Sequence, residues 1–282
     1  MPGTLYVVAT PIGNLEDVTL RALRVLREVS LIAAEDTRRT ARLLQHYSIS
    51  TRTTSLHEHN ERTKTASLIS RLTSGESIAL VSDAGTPVIS DPGAHLVAEA
   101  HRAGLPVEPI PGPNAAIAAL SAYGLADESF LFAGFPPSRS KARQEWLANL
   151  ATEPHTLILY EAPHRIRLTL QDMLQAFGDR VVALARELTK VHAQLVVRPI
   201  SRHLDAVLEE RGEYTLIVSR PIKDSVSASG LPAADQVRAE FGLLTNITGV
   251  SRREAIRKLA QKYGTSSRAV FMSLEQSKNS VE

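Results

Sequence analysis

The six residues Tyr160-Glu161-Ala162-Pro163-His164-Arg165 set a carboxylate and a guanidinium four positions apart, directly after the apolar run Thr156 to Tyr160. A charged turn at a strand end faces the rim where open α/β sheets bind ligands. Glu161 there suits a general base oriented by Arg165, and such a base contributes about two to four orders of magnitude in rate. The same pair suits a structural ion pair capping a helix. The sequence leaves both readings standing. His164, Glu187 and Asp91 are further candidates for the base.

A second constellation consists of loops. Pro11-Ile12-Gly13-Asn14 closes one apolar run, Asp83-Ala84-Gly85-Thr86-Pro87 another, and Pro111-Gly112-Pro113-Asn114-Ala115 a third. Glycines at 13, 85 and 112 let backbone approach a ligand closely. Any one of these loops reads as a plain strand-to-helix turn; all of them on one rim, with Asp83, point to a small-molecule site. Asp83 reads equally as an acceptor for a ligand ammonium group or as a local turn or cap residue. Farther along the stretch, Ser90-Asp91-Pro92-Gly93 reads as a helix start, with Asp91 as cap and Pro92 at the first helical position.

Several chemistries are excluded or disfavoured. No G-x-G-x-x-G follows a strand, and there is no Walker A loop and no H-E-x-x-H. His57-Glu58-His59 reads as a surface turn, so no metal is expected. Cysteine is absent, which removes disulfides and thiolate sites and fits a reducing cytosol. No apolar run approaches ~18 residues, so no membrane span is expected. The N-terminus MPGTLYVVATPIGN lacks a basic segment and reads as a strand, not a signal peptide.

The net charge of the 282-residue chain is only +2, so any nucleic-acid partner must be held by local patches. Arg139, Lys141 and Arg143 follow the turn Gly134-Phe135-Pro136-Pro137 and form the best single patch. Arg38, Arg39 and Arg42 share a helix face. Arg186 and Lys190 flank Glu187. Residues 236–270 hold seven Lys/Arg against two acids, Arg252 and Arg253 among them. Phosphate contacts of this kind position an RNA without reading its bases. A charge run is also commonly just a solvated face.

The elements that must position these groups follow from periodicity. Short apolar strands are predicted at 5–9, 31–34, 78–81 and 107–110, alternating with helices at 17–28, from Glu35-Asp36-Thr37 through Leu44, at 60–73, at 93–103 and at 115–122. That alternation predicts a covered, mostly parallel sheet. Beyond Tyr123-Gly124 strands crowd closer (130–135, 156–160, 181–185, 195–197, 214–218), with helices at 140–150, 163–176 and 201–210. This predicts a mixed second α/β domain. The Ser-rich stretch 222–230 reads as a linker, and 232–275 as a small helical unit whose Ser251-Arg252-Arg253-Glu254 has capping-box spacing. The expected domains are 1–123, 124–221 and 222–282.

Seven segments, in order, resemble one family: LYVVATPIGNLEDVTLRAL, AEDTRRTARLL, HEHN, ALVSDAGTPVISDPG, AGF, YEAPHR and RELTK. They are similar to the tetrapyrrole-methylase superfamily and, within it, to the ribosomal RNA small subunit methyltransferase I group. The resemblance covers about residues 4–220. It implies two α/β domains of the class III type, with S-adenosyl-L-methionine bound in the cleft between them, and a homodimer. It implies 2′-O-methylation of a cytidine ribose in the decoding region of 16S rRNA, with the rRNA met within the small ribosomal subunit. Carried onto this chain, the cofactor loops are Pro11, Ile12 and Gly13; Asp83, Ala84, Gly85, Thr86 and Pro87; and Asn114 and Ala115. Phe135 and Tyr160 close the cleft from the second domain. After RELTK the group carries a Glu and then Arg-Gly, whereas this chain has Val191-His192-Ala193-Gln194 and Arg198-Pro199. A small-molecule methylase of the same fold and a non-enzymatic RNA-binding protein are the alternatives. The basic tail disfavours the former, and cofactor binding would exclude the latter.

Overall fold

The structure is a computed structural model that describes residues 1–124, 129–209, 211–221, 234–247, 250–263 and 266–276. The segment read as a linker, 222–230, lies outside the described residues. The chain divides into two compact units, Met1–Arg220 and Pro221–Glu282.

The first unit holds two five-stranded sheets. The N-terminal sheet comprises β1 (Leu5–Val8), β2 (Leu31–Ala34), β3 (Thr53–Ser55), β4 (Ile78–Val81) and β5 (Val107–Ile110), ordered β3-β2-β4-β1-β5 and parallel throughout. Helices α1 (Leu20–Glu28), α2 (Thr37–His46), α3 (Glu61–Thr73) and α4 (Ala94–Arg102) connect them. In β2 and β4 every residue is buried, because helices cover both faces. Alternate residues feed opposite cores. Ile32, Ala34, Ala79 and Val81 join Leu23, Leu26 and Leu43 on one side. Leu31, Ala33, Ile78 and Leu80 join Leu68, Leu72 and Leu96 on the other. Each fully buried leucine is worth roughly 1.5–3 kcal/mol in transfer free energy. Strand β3 escapes periodicity analysis: it is three residues of polar Thr-Thr-Ser at the sheet edge, with no apolar alternation.

After α5 (Ala115–Tyr123), the second sheet is built from β6 (Phe130–Gly134), β7 (Thr156–Glu161), β8 (Val181–Arg186), β9 (Gln194–Pro199) and β10 (Tyr214–Val218), ordered β6-β7-β10-β8-β9. Only the β6–β7 pair is parallel. Leu157, Leu159, Leu184 and Leu216 pack on α6 (Ser140–Leu150) and α7 (Ile166–Phe177). The opposite face presents Ala183, Ala185 and Ile217 to Ala119, Leu120 and Tyr123 of α5. Small residues on both sides allow that helix to lie close, so the Ala-rich stretch locks the two sheets together. The helix expected over 201–210 is shorter, α8 (Ile200–Leu204).

The second unit contains α9 (Ala234–Gly242), α10 (Arg252–Lys262) and α11 (Ser267–Gln276) around Val237, Leu259, Val270 and Leu274. Ser251 Oγ accepts from Glu254 N (3.3 Å), the N-cap half of the expected box, and Lys262 Nζ donates to Glu240 (2.7 Å), tying α10 to α9. Among the described residues, no helix is long and apolar enough to cross a membrane.

Candidate active site

The C-terminal ends of β1, β4 and β5 bring the Gly loops together, and hydrogen bonds fasten them. Thr10 N donates to Gly85 O (2.8 Å) and Gly85 N to Thr10 O (2.9 Å). Thr86 Oγ1 donates to Pro113 O (3.3 Å), and Asn114 Nδ2 to Thr86 Oγ1 (3.4 Å). Gly85 adopts φ 82°, a left-handed value that disfavours a side chain. Asn114 also caps α5, its Oδ1 accepting from Ile117 N (3.1 Å), as its position before an apolar helix predicts.

These loops line a cavity of about 230 Å³. Ile12, Asp83, Ala84, Gly85, Thr86, Asn114 and Ala115 contribute from the first sheet, and Phe135, Tyr160 and Glu161 from the second. Pro11 and Gly13 line an adjoining cavity of about 450 Å³, together with Ile12, Asp83 and Lys190. Pro87 is a correction: it is buried and lines neither space, because the loop turns it toward protein. Tyr160 bridges the sheets, its hydroxyl accepting from Ala116 N (3.1 Å) at the start of α5. Burial raises its pKa above the usual phenol value. Phe135 is 51% exposed at the mouth, its ring centroid 5.4 Å from that of Tyr160. A flat heterocycle can stack on such a ring.

Glu161 is buried, and its side chain is already engaged. Its Oε1 accepts from Ala162 N (2.8 Å) and lies 3.3 Å from Arg165 Nε. Its Oε2 accepts from Thr169 Oγ1 (2.5 Å). Arg165 in turn donates to Pro136 O (2.5 Å) and Pro137 O (3.2 Å), the turn that carries Phe135. The geometry therefore fits the ion-pair reading, in which the pair positions the aromatic wall. His164 is exposed and lines neither cavity.

Asp83 is neither a local cap nor free. Its Oδ1 accepts from Asp36 N (3.0 Å) and its Oδ2 lies 3.4 Å from Arg39. Its own N–H donates to Glu35 Oε2 (3.2 Å). Burial is the main force raising the pKa of Glu35, with repulsion from Asp83 adding to it. Sequence reasoning missed Glu35, Ile89, Ser90 and Glu213 as lining residues. The AEDTRRT motif is the available signal for Glu35; Ser90 falls in the stretch that reads as a helix start, which gives no signal that it lines a cavity.

The cationic assignments divide. Arg139 and Lys141 are exposed on the turn and first residues of α6. Arg143 is a correction: it is 4% exposed, donating from Nε to Asp172 Oδ2 (2.7 Å) and from Nη1 to Ser138 O (3.3 Å). Two residues past Lys141, about 200° around the helix, it points into the core and away from RNA. Lys190 lines both cavities and donates to Glu187 Oε1 (2.5 Å). Arg186 donates to Arg211 O (3.4 Å) and lines neither cavity. Arg252 and Arg253 are exposed on α10, with Arg252 over the Phe241 ring at 5.9 Å. Among the described residues, no group of three or more His, Cys, Asp or Glu is arranged to hold a metal ion.

The Asp91 and Pro92 helix start is also corrected. Helix α4 begins at Ala94, with Gly93 (φ 118°) at the cap position. A distant carboxylate serves its N-terminus instead: Glu61 Oε1 accepts from Gly93 N (3.1 Å), His95 N (2.8 Å) and Leu96 N (3.2 Å). Asp91 is released to line the cavity.

The loop after β1 touches the loop after β8. Asn14 N donates to Thr189 Oγ1 (3.1 Å), and a Cβ on Gly13 would stand 2.7 Å from Lys190 Cε and 2.8 Å from Thr189 Oγ1. Gly13→Ala is therefore expected to force these loops apart. The variant should lose about 1–3 kcal/mol from its positive φ alone, read by thermal denaturation, and bind cofactor more weakly by calorimetry.

Comparison with known proteins agrees with this architecture. The tetrapyrrole (corrin/porphyrin) methylases match residues 4–205. Ribosomal RNA small subunit methyltransferase I of Pseudomonas aeruginosa is 46% identical, over 94% of this chain and 99% of its own. The protein of that name from Escherichia coli O157:H7 is 44% identical, over 93% and 96%. Among solved structures, diphthine synthase superposes with a TM-score of 0.62 at 14% identity, covering 77% of this chain and 90% of its own. Uroporphyrin-III C-methyltransferase from Thermus thermophilus, complexed with S-adenosyl homocysteine, gives 0.57 at 19% identity, over 78% and 99%. With the loops, the cleft and these similarities together, the chain belongs to the tetrapyrrole methylase family, in its ribosomal RNA small subunit methyltransferase I group.

Proposed function

We propose that this chain transfers a methyl group from S-adenosylmethionine to the ribose 2′-hydroxyl of a cytidine in the decoding region of 16S rRNA, acting as a homodimer on the small ribosomal subunit. The observation that carries this reading is the cavity itself: Gly loops cross-linked at the strand ends, closed by Tyr160 and Phe135, and rich in carboxylates. The names of the relatives supply the rRNA.

The residues fit the cofactor by charge and shape. S-adenosylmethionine supplies an electrophilic methyl group on a sulfonium and also carries an ammonium group. Glu35, Asp83, Glu187 and Glu213 face the cavity with Arg39 and Lys190, and the excess of carboxylates favours a cationic guest. Ala84, Gly85 and Ala115 leave room at the backbone for close approach. Since the leaving sulfur is neutral, no acid is needed, and positioning is the main service. Arg139 and Lys141 beside the mouth, with Arg252 and Arg253 on the tail, supply phosphate contacts.

Asp83→Ala should weaken S-adenosylmethionine binding by about tenfold to a hundredfold, the worth of a charged hydrogen bond, while RNA affinity changes little. An unchanged cofactor constant in calorimetry would remove Asp83 from the site. The function itself is tested with labelled cofactor and small subunits lacking the modification. Label mapped to a cytidine ribose is expected. Label on a base, or none in the RNA, rejects it. Label on a tetrapyrrole alone would support the small-molecule reading.

A further inference from the structure

We propose that Asp91 is the proton acceptor for the ribose hydroxyl. This rests on the reading of the chain as a 2′-O-methyltransferase. The carboxylates that line the cavity differ in the partners they already hold. Glu161 is buried behind the wall and holds Ala162 N–H, Thr169 and Arg165. Glu187 is paired with Lys190 at 2.5 Å. Asp83 is paired with Arg39 and accepts from a backbone N–H, and Glu35 accepts from Asp83 N. Glu213 is exposed. Asp91 is half-buried, pairs with no cation among the described residues, and has the neutral Ser82 hydroxyl as a neighbour, a hydroxyl that donates to Ala84 O (3.3 Å).

A second observation is the backbone that presents it. In the described chain the non-glycine residues with positive φ are Ser48, Val88, Ser90 and Glu187. Val88 (75°) and Ser90 (64°) lie in the loop that delivers Asp91, and Ser90 and Glu187 line the cavity. Val88 is β-branched, so that conformation is strongly disfavoured. Such strain persists where surrounding structure imposes it, and it gathers at functional sites. The far end of this loop is fastened: Glu61 holds the N–H groups of Gly93, His95 and Leu96, and a Cβ on Gly93 would stand 2.6 Å from Leu80 Cδ2.

The charged groups facing Asp91 are Glu35 from the loop after β2, Asp83 from the loop after β4 and Glu213 ahead of β10; Tyr160 on β7 faces it as a neutral phenol. Burial above all, then these like charges, push its pKa up to about 6, against the Ser82 hydrogen bond. A base of that strength is ionised at neutral pH and still accepts a proton readily. In the step, the ribose O–H bond breaks and its proton passes to the Asp91 carboxylate. The ribose oxygen gains the methyl group, and the sulfur keeps the electron pair of the broken S–C bond. The proton then leaves Asp91 for solvent.

The test compares the full-length wild type with Asp91→Asn and Asp91→Glu. Single-turnover methyl transfer to unmodified small subunits is followed from pH 5 to 8.5, with cofactor affinity by calorimetry and thermal midpoint against pH. Asp91→Asn should slow transfer by about 10²–10³-fold with cofactor affinity within about threefold, and should abolish the fall in rate below about pH 6. Asp91→Glu should keep an acid limb with a moved midpoint. Independently of turnover, the midpoint gain of Asp91→Asn over wild type should grow as pH rises from about 4 to 6, because the wild-type charge then becomes costly. A rate within threefold of wild type in Asp91→Asn, or an acid limb that survives it, overturns the assignment. So does an unmoved limb in Asp91→Glu, or a loss confined to cofactor affinity. A wild type that labels no ribose rejects the functional reading instead.

Discussion

Replacing Asp172 by alanine is expected to cost the first unit about 3–5 kcal/mol in chemical denaturation, the usual penalty for stranding one member of a buried ion pair. The Asp172 and Arg143 side chains are 10% and 5% exposed, and the pair joins α7 to α6. Asp172 Oδ1 also accepts from Gln144 Nε2 (3.0 Å). Without the carboxylate, the Arg143 guanidinium keeps only its bond to Ser138 O and remains away from water. A double replacement, Arg143→Met with Asp172→Leu, should be close to neutral, since an apolar pair of similar volume avoids the desolvation penalty. Arg139→Ala with Lys141→Ala makes the contrast: the thermal midpoint should hold while RNA affinity and its salt dependence fall. If Asp172→Ala left stability intact, the buried pair would carry no structural weight.

Glu161→Ala should be nearly as damaging, at about 3–5 kcal/mol by the same argument. Its carboxylate is completely buried, and its removal orphans Thr169 Oγ1 and Ala162 N–H together with Arg165. Arg165 also holds Pro136 O and Pro137 O, so the Phe135 wall should loosen and cofactor affinity should fall with stability. A base role predicts a different outcome: a variant of wild-type stability and cofactor affinity with chemistry abolished. Denaturation and calorimetry on one sample separate the two.

The site was legible where local chemistry decides it. Apolar runs at β1, β4 and β5 end in Gly- and Pro-containing loops, and parallel sheets bind ligands at those ends. Asn114 and Asp36 cap their helices as side chains of that type do. Other features depended on partners distant in sequence. Nothing near Asp91 announces that Glu61, thirty-odd positions earlier, occupies the N-terminus of α4. The basic run over 139–143 looks uniform on paper, yet the helix rotates Arg143 inward to Asp172. Strand β3 is too short and polar for any periodic signal.

By itself, the order of apolar runs, glycine turns and caps determined two α/β layers and one rim of ligand loops, because backbone freedom, capping and burial period are properties of neighbouring residues. Only the tertiary structure decided which charges work and which support. Whether a carboxylate is free depends on the donors that folding brings to it: Arg165 and Thr169 occupy Glu161, Arg39 and Asp36 occupy Asp83, and Lys190 occupies Glu187. Asp91 has no cation paired with it among the described residues, and that contrast is set by contacts across the fold.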